Sequence, residues 1–529
     1  MPTLADRHIR KLNPATGQLI ADYPVASEAE VEAAVLRARL AQGQWQKISL
    51  KKRAHGLKAM RNRLYQQAHK LAEIISRETG KPLGDSLEAD IATALNVLSY
   101  YAEIGPQRLR PSLIQPDLLS LVTARLHHQT WHPRGVIAII APWNFPVAIA
   151  CSGIAAALMA GNSVVLKPSE LTPECGKALI AVVRDALSAS GLDPEIAQIV
   201  IGDGATGAQL LAQPIDGVIF TGSRRTGQLI AQQAAERDLW CSLELGGSDA
   251  MIILEDCDLD KAASYALWGR FINAGQTCAA VKRLLVPARH EAAFLKLLAS
   301  KMQRLRVGSP DQPDPQVGPL INEAQRTLIH EQVQNAIQQG AQLLQGGHHL
   351  PGPGFFYAPT LFTQVPPSAR ILNEECFGPV LPVIPYDTIE QAVRMANDTP
   401  FGLTASVFGP PSQARQVASL LHCGTVVIND VGPTNYALPC APWGGWKHSG
   451  SGVSHGAAAL TDLSRLQVLS ENLMYGIPFM SKPLWHFGKP AQSTKDRAKT
   501  VLALAGRQNA LWHPKRWWPF WTHRSATKF

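Results

Sequence analysis

Three short runs carry side chains able to do covalent chemistry. Phe271-Ile272-Asn273-Ala274-Gly275-Gln276-Thr277-Cys278-Ala279-Ala280 holds one thiol among small neighbours, with no second cysteine two or three positions away. That spacing argues against a zinc or redox CxxC site and leaves Cys278 as nucleophile or bystander, the commoner fate of an isolated cysteine being burial. Leu243-Glu244-Leu245-Gly246-Gly247 sets an acid between two leucines. An apolar setting raises a carboxyl pKa toward neutrality and makes a general base; a salt-bridged carboxylate at a strand end is the alternative. Trp143-Asn144-Phe145-Pro146 offers an amide that could donate to an oxyanion, or an ordinary turn asparagine. A soft nucleophile, a base and an amide donor are parts for attack on a carbonyl.

The elements that must position them alternate between strand and helix. Val136 to Ala141, Val164 to Leu166, Ile199 to Ile201 and Val218 to Phe220 read as short apolar strands, with a core helix from about Ala148 and another over Pro173 to Ala189. This alternation predicts a parallel, doubly wound sheet. Pro142, Asn144 and Pro146 interrupt the apolar stretch Val136 to Gly161, so a buried strand, loop and helix fit it better than a membrane span. Ahead of it, Ser27 and Glu30 form a capping box, and helical patterns run from Arg53 to Arg77 and from about Asp85 to Ala102. Leu121 to Thr130 reads as an exposed strand; its adjacent His127 and His128 point to opposite faces, so no metal site is expected there. A second lobe begins beyond Gly247, with strands Ala250 to Leu254 and Arg283 to Val286, helices near Asp260 to Phe271, Glu291 to Leu305 and Glu323 to Gln339, and a buried strand over Gly424 to Asn429.

The chain has 529 residues, 46% hydrophobic and 17% charged, which suits a folded globular protein large enough for several lobes. Eight scattered cysteines give no disulfide framework and suit a reducing compartment; with no secretory signal at the start, the expected location is cytoplasmic. The net charge of +9 belongs to the tail alone, where residues 482–529 hold ten Lys/Arg against the single Asp496. The neutral body gives no reason to invoke nucleic acid.

In order and spacing, Trp143–Pro146, Phe220-Thr221-Gly222-Ser223, Glu244–Gly247 and Gly275-Gln276-Thr277-Cys278 resemble the aldehyde dehydrogenase superfamily. Further similar segments are Glu78–Pro82, Pro133–Val136, Asn397–Leu403 and Pro442–Gly450, so the likeness spans roughly residues 10 to 475. It implies an α/β fold of two doubly wound Rossmann-type lobes with a small β oligomerisation flap. The implied division is 1–115 and 134–245 for the NAD(P)-binding domain and 246–446 for the catalytic domain. Segments 116–133 and 447–475 would serve oligomerisation, and 476–529 form a basic, Trp-rich C-terminal extension.

The resemblance implies NAD(P)-dependent oxidation of an aldehyde to its acid through a thiohemiacetal and a thioester. Cys278 would be nucleophile, Asn144 with the Cys278 backbone N–H the oxyanion donors, and Glu244 the base for water, with no metal. Glu244 also argues for hydrolysis over transfer to coenzyme A. Lys167 and Glu170 match residues on the adenosine ribose; Glu170 would accept from a 2′-hydroxyl and repel a 2′-phosphate, which favours NAD while NADP stays open. Gly222, Ser223 and Gly227 frame a strand-to-helix turn for the pyrophosphate, and Glu375 and Phe377 match residues that hold the nicotinamide ribose and ring. Trp143 and Leu245, flanking Asn144 and Glu244, are expected in the same crevice.

Two departures stand out. Ser248 and Ala250 replace the family's usual lysine and proline, which predicts altered loop packing with retained activity, and Trp443 replaces a smaller aromatic. With Trp143, Phe145 and Trp446 this points to an apolar aldehyde, core packing being the alternative. A homodimer or homotetramer is implied, built through residues near 121–131 and 459–472. Rival readings are a coenzyme A-acylating or semialdehyde dehydrogenase of the same fold, and a scaffold with a vestigial site. The tail's five tryptophans among basic side chains fit peripheral membrane contact as well as packing onto the body or a partner. Deleting 482–529 is expected to move the protein from a liposome pellet to the supernatant.

Overall fold

The computed structural model describes residues 7–122 and 124–473, with Lys499, Leu502 and Ala503; nearly all of the basic extension lies outside the described residues. Two compact units emerge, the larger taking residues up to Leu109 and His132–Arg465, the smaller Arg110–Trp131 and the chain from Leu466 onward.

The larger unit holds two parallel-rich sheets. The first has six strands in the order Gly450–Ser451, Trp240–Glu244, Gly217–Thr221, Val136–Ile140, Ser163–Lys167, Ala197–Ile199. All pairs are parallel except the short Gly450–Ser451, which runs antiparallel with Gly450 opposite Glu244. Val136–Ile140 and Ser163–Lys167 are buried along their whole length, which is why they read as unbroken apolar runs: helices cover both faces of a parallel sheet. Strand order reverses about Val136–Ile140, so a crevice opens at the carboxyl ends there. The second sheet has seven strands, ordered Gln342–Gln345, Thr360–Thr363, Val380–Tyr386, Val281–Pro287, Asp249–Ile253, Thr404–Phe408, Thr425–Ile428. Its core packs Met251, Ile253, Leu284, Val286 and Phe294 against Leu361, Phe362 and Val383. The expected α/β architecture of two doubly wound lobes is the one observed.

Several boundaries differ from expectation for local reasons. The strand expected from Leu121 starts at Arg125, because Asp117 accepts the Ser120 N–H (2.7 Å) and winds Leu118–Val122 into a helical turn. The third strand ends at Ile199, two residues short of the expected end, after a 3₁₀ turn over Pro194–Ile196. The helix expected over 85–102 starts as a π-helical segment, Ser86–Ala92, then continues as Thr93–Arg108 through Pro106. Thr425–Ile428 is a half-buried edge strand, because among the described residues Thr404–Phe408 alone flanks it. Residues 447–475 divide: Gly450–Ser451 joins the first sheet, and Ser464–Asn472 a three-stranded sheet with Arg125–Pro133 and Ser112–Leu113. Leu466, Val468 and Leu469 are exposed there. Among the described residues no helix is long and apolar enough to cross a membrane.

Candidate active site

Cys278 follows a strained turn. The helix Leu259–Phe271 ends in a 3₁₀ turn in which Asn273 (φ 51°) and Ala274 (φ 54°) are left-handed, and Gly275 follows at φ 75°. A left-handed alanine costs on the order of 1–3 kcal/mol and persists only when its surroundings over-determine it. Here they do: Asp85 Oδ2 accepts the Asn273 N–H (3.0 Å), Gln276 Nε2 donates to Asn273 O (3.1 Å), and Gln276 Oε1 accepts the Ile321 N–H (2.8 Å). A Cβ on Gly275 would run into the Gly378 carbonyl, so only glycine fits.

The Asn144 loop is held from below by a buried ion pair. Lys81 and Asp90 are fully buried and 2.6 Å apart; Lys81 Nζ donates to Asn144 O (2.6 Å) and lies over the Phe145 ring. Asp90 Oδ1 accepts the N–H groups of Val147 (3.1 Å) and Ala148 (2.9 Å), so a residue far off in sequence caps the helix Pro146–Ala160. That remote cap is why the helix begins at Pro146, ahead of Ala148. Asp90→Asn strands an unpaired ammonium, and the expected loss is about 3–5 kcal/mol of stability, read as a fall in the denaturant midpoint. Asn144 itself donates through Nδ2 to Gln276 O (3.2 Å), which ties it to the loop two residues before the thiol. Among the described residues the Cys278 N–H has no acceptor.

Cys278 and Glu244 line one cavity of about 260 Å³ with Phe145, Trp268, Tyr436 and Trp443. Burial pushes the Cys278 thiol up to about 12, against the pull of the Lys282 cation; the Glu375, Asp249 and Glu244 carboxylates push the same way as burial. Burial also raises Glu244 to about 7, opposed by hydrogen bonds from the Ser454 hydroxyl and N–H. Of the aromatics expected at the substrate mouth, Phe145 and Trp443 line this cavity, the latter edge-on to Tyr436. The other two do not. Trp143 packs edge-on against Phe377 at 5.6 Å, and Trp446 is exposed in a two-residue strand paired with Phe401–Gly402.

The remaining predicted residues sit around the strand ends. Lys167 closes the second strand, buried, with Nζ 3.6 Å from the exposed Glu170; burial lowers its pKa. Ser223 caps the helix Arg224–Ala235 by accepting the Thr226 N–H (3.3 Å), and the Gly222 N–H donates to Glu244 O (3.0 Å). A Cβ on Gly227 would stand 2.6 Å from the buried Leu245 side chain. Glu375 accepts the Gly247 N–H (3.1 Å), pairs with Lys282 (3.5 Å), and lies so close over Gly246 that a Cβ there would collide with it. An ammonium and a carboxylate beyond Ser163–Lys167 and a helix N-terminus beyond Gly217–Thr221, the two strands flanking Val136–Ile140, are the groups a dinucleotide requires, so the fold fits one.

Residues missed in sequence also act here. Lys282, fully buried, reaches both the Cys278 carbonyl and Glu375. Arg283 donates to Ser248 O (3.0 and 2.7 Å) and Ala396 O (2.9 Å), which holds the loop where Ser248 and Ala250 depart from the pattern. Two cations inside the otherwise apolar Val281–Pro287 were the available signal, since such charges are buried only when paired. Ser454 and Tyr436 carried none.

A doubly wound lobe whose strand ends converge on a thiol and a carboxylate is the layout of a dinucleotide-dependent oxidoreductase. The chain belongs to the aldehyde dehydrogenase family, whose model matches residues 3–469. It is 34% identical to a 4,4'-diapolycopene aldehyde oxidase of Methylomonas sp over 86% of this chain and 84% of that protein. A Mycobacterium ulcerans protein provisionally named succinate-semialdehyde dehydrogenase [NADP(+)] 2 is 32% identical over 93% and 94%. Among solved structures, a Mycobacterium tuberculosis aldehyde dehydrogenase complexed with NAD+ matches with a TM-score of 0.83 and 33% identity, covering 88% of this chain and 94% of that one.

Proposed function

We propose that this protein oxidises an apolar aldehyde to the carboxylic acid at Cys278, with NAD or NADP as hydride acceptor. The observation that carries the reading is the shared cavity of Cys278 and Glu244. Because burial keeps the thiol protonated, attack needs a base at the moment of reaction, and Glu244, losing its proton near neutrality, is the group across the cavity able to take it. Sulfur then adds to the aldehyde carbon, and the oxyanion is met by the Cys278 N–H and the second amide hydrogen of Asn144. A dinucleotide, when bound, would supply the hydride acceptor needed for the thiohemiacetal on Cys278 to become a thioester. Lys167, Glu170, Gly222, Ser223, Glu375 and Phe377 would hold it, with Trp143, Gly227 and Leu245 shaping the crevice. Once Glu244 has released the thiol proton to solvent it takes another from water, which attacks the thioester; the C–S bond breaks, the acid leaves and the Cys278 sulfur is reprotonated.

The apolar substrate rests on the lining. Among the described residues it contains no lysine or arginine, and its charged members are Asp85, Glu88 and Glu244. A carboxylate-bearing semialdehyde would bury its charge unpaired beside other acids, which costs several kcal/mol. In a panel spanning succinic semialdehyde, butanal and decanal, kcat/KM is expected to rise with apolar chain length and to be about 10²-fold or more lower for the semialdehyde. Equal rates would remove the apolar reading, and acyl-CoA in place of free acid would remove hydrolysis. The exposed Leu466, Val468 and Leu469 support burial of that sheet by a second copy, as sedimentation would report.

A further inference from the structure

Glu244 also lines, with Ile149, Thr221 and Tyr436 of the first cavity, a second and smaller chamber of about 30 Å³ that does not include Cys278. Its polar lining includes Tyr101, Ser152, Glu244, Tyr436, Ser454 and His455. Among the described residues two of its buried polar groups are incompletely matched: the Tyr101 hydroxyl, whose oxygen faces the His455 backbone N–H, finds no acceptor for its proton, and His455 Nδ1 has no partner. Both side chains are almost wholly inaccessible, and leaving such atoms bare is costly. The His455 tautomer follows from its neighbours. With the Ser152 hydroxyl proton assigned to Ala148 O (2.9 Å), the 3.2 Å contact with His455 Nε2 is satisfied by the tautomer carrying its N–H on Nε2. Nδ1 is then a bare acceptor, and Tyr101 a donor. Burial holds the His455 pKa down to about 4, so the ring stays neutral across the working range.

A chamber of this size has room for a water, which needs at least about 10–15 Å³ and two to four polar partners. A donor, an acceptor and a carboxylate meet that need. We propose that a structural water occupies this chamber, accepting from Tyr101, donating to His455 Nδ1, and giving its second hydrogen to Glu244. Tyr101 and His455 are thereby positioning residues: they orient the carboxylate and, by supplying a donor to its ionised form, favour loss of its proton. The other titratable groups facing Glu244 are Tyr436 and Cys278, both neutral near pH 7, and the Ser454 hydroxyl already donates to Glu244 Oε1. This inference rests on Glu244 being the hydrolytic base.

The test isolates hydrolysis from hydride transfer. p-Nitrophenyl acetate acylates the Cys278 thiol with release of nitrophenolate, and intact mass then follows loss of the acetyl group from pH 5.5 to 9. Tyr101→Phe and His455→Phe are each expected to raise the midpoint of the deacylation profile by about one unit, with a rate near pH 6 about tenfold lower. An unchanged or lowered midpoint in folded Tyr101→Phe overturns the proposal, since deleting a hydroxyl of purely structural role would leave the profile alone. A crystal structure without a water between Tyr101 Oη and His455 Nδ1 also overturns it. If Glu244→Gln deacylates at the native rate, the base assignment has failed; if it is slow while the two phenylalanine variants keep the native midpoint, only this inference has.

Discussion

Cys278→Ala is expected to abolish aldehyde oxidation, with kcat down at least about 10⁴-fold and dinucleotide affinity intact. The size follows from the loss of the atom proposed to form the covalent intermediates; when a nucleophile goes, the other groups of its unit lose their purpose with it. Sparing of the fold follows from the surroundings. Asn273, Gln276 and Asp85 fix the turn through their own hydrogen bonds, and Lys282 grips the Cys278 carbonyl, which alanine keeps. Steady-state reduction of NAD+ with a medium-chain aldehyde, beside calorimetric titration of the dinucleotide, separates the two effects. Retained turnover would place the chemistry on another residue, and a biological role spared by the variant would favour the scaffold reading.

Glu244→Gln has two opposite consequences. Without a base, thiol activation and thioester hydrolysis are both expected to slow, turnover falling about 10²–10⁴-fold, while acyl-enzyme loaded from p-nitrophenyl acetate persists, visible by mass spectrometry. The variant is also expected to be more stable than the parent above pH 7. Burial raises Glu244 from the ordinary carboxyl range to about 7, so its favourable contribution is complete below the unfolded value and disappears as pH rises through 7. Glutamine carries no charge to desolvate and still accepts from Ser454. From a rise of that size the gain is about 3 kcal/mol at pH 8 and close to nothing at pH 4, measurable by urea unfolding at both. In the parent, activity should climb with pH through about 7. A variant no more stable at pH 8 than at pH 4, relative to the parent, would mean that Glu244 is solvated in the folded protein.

Much of this was legible along the chain because it is local. The strands Val136–Ile140 and Ser163–Lys167 announce themselves as unbroken apolar runs, the helix Pro173–Ala189 by its period, and the helix Glu28–Trp45 by the Ser27–Glu30 box that is in fact present. The motifs named Cys278, Glu244 and Asn144, and two leucines beside an acid already hinted that Glu244 is buried. Helix starts were harder. The cap of Pro146–Ala160 is Asp90, more than fifty residues upstream, and no window around Pro146 contains it.

What the tertiary structure alone decided is which groups feel one another. Trp143, Phe145, Trp443 and Trp446 look alike as sequence, yet two line the cavity of Cys278, one leans on Phe377 and one faces solvent. Lys282 is four residues from Cys278 but acts through a carbonyl and through Glu375, about ninety positions on. Backbone propensity and hydrophobic period are set by neighbours within a few residues, so a linear reading recovers them. Electrostatic coupling and desolvation depend on distances through space, and those exist only once the strands are side by side.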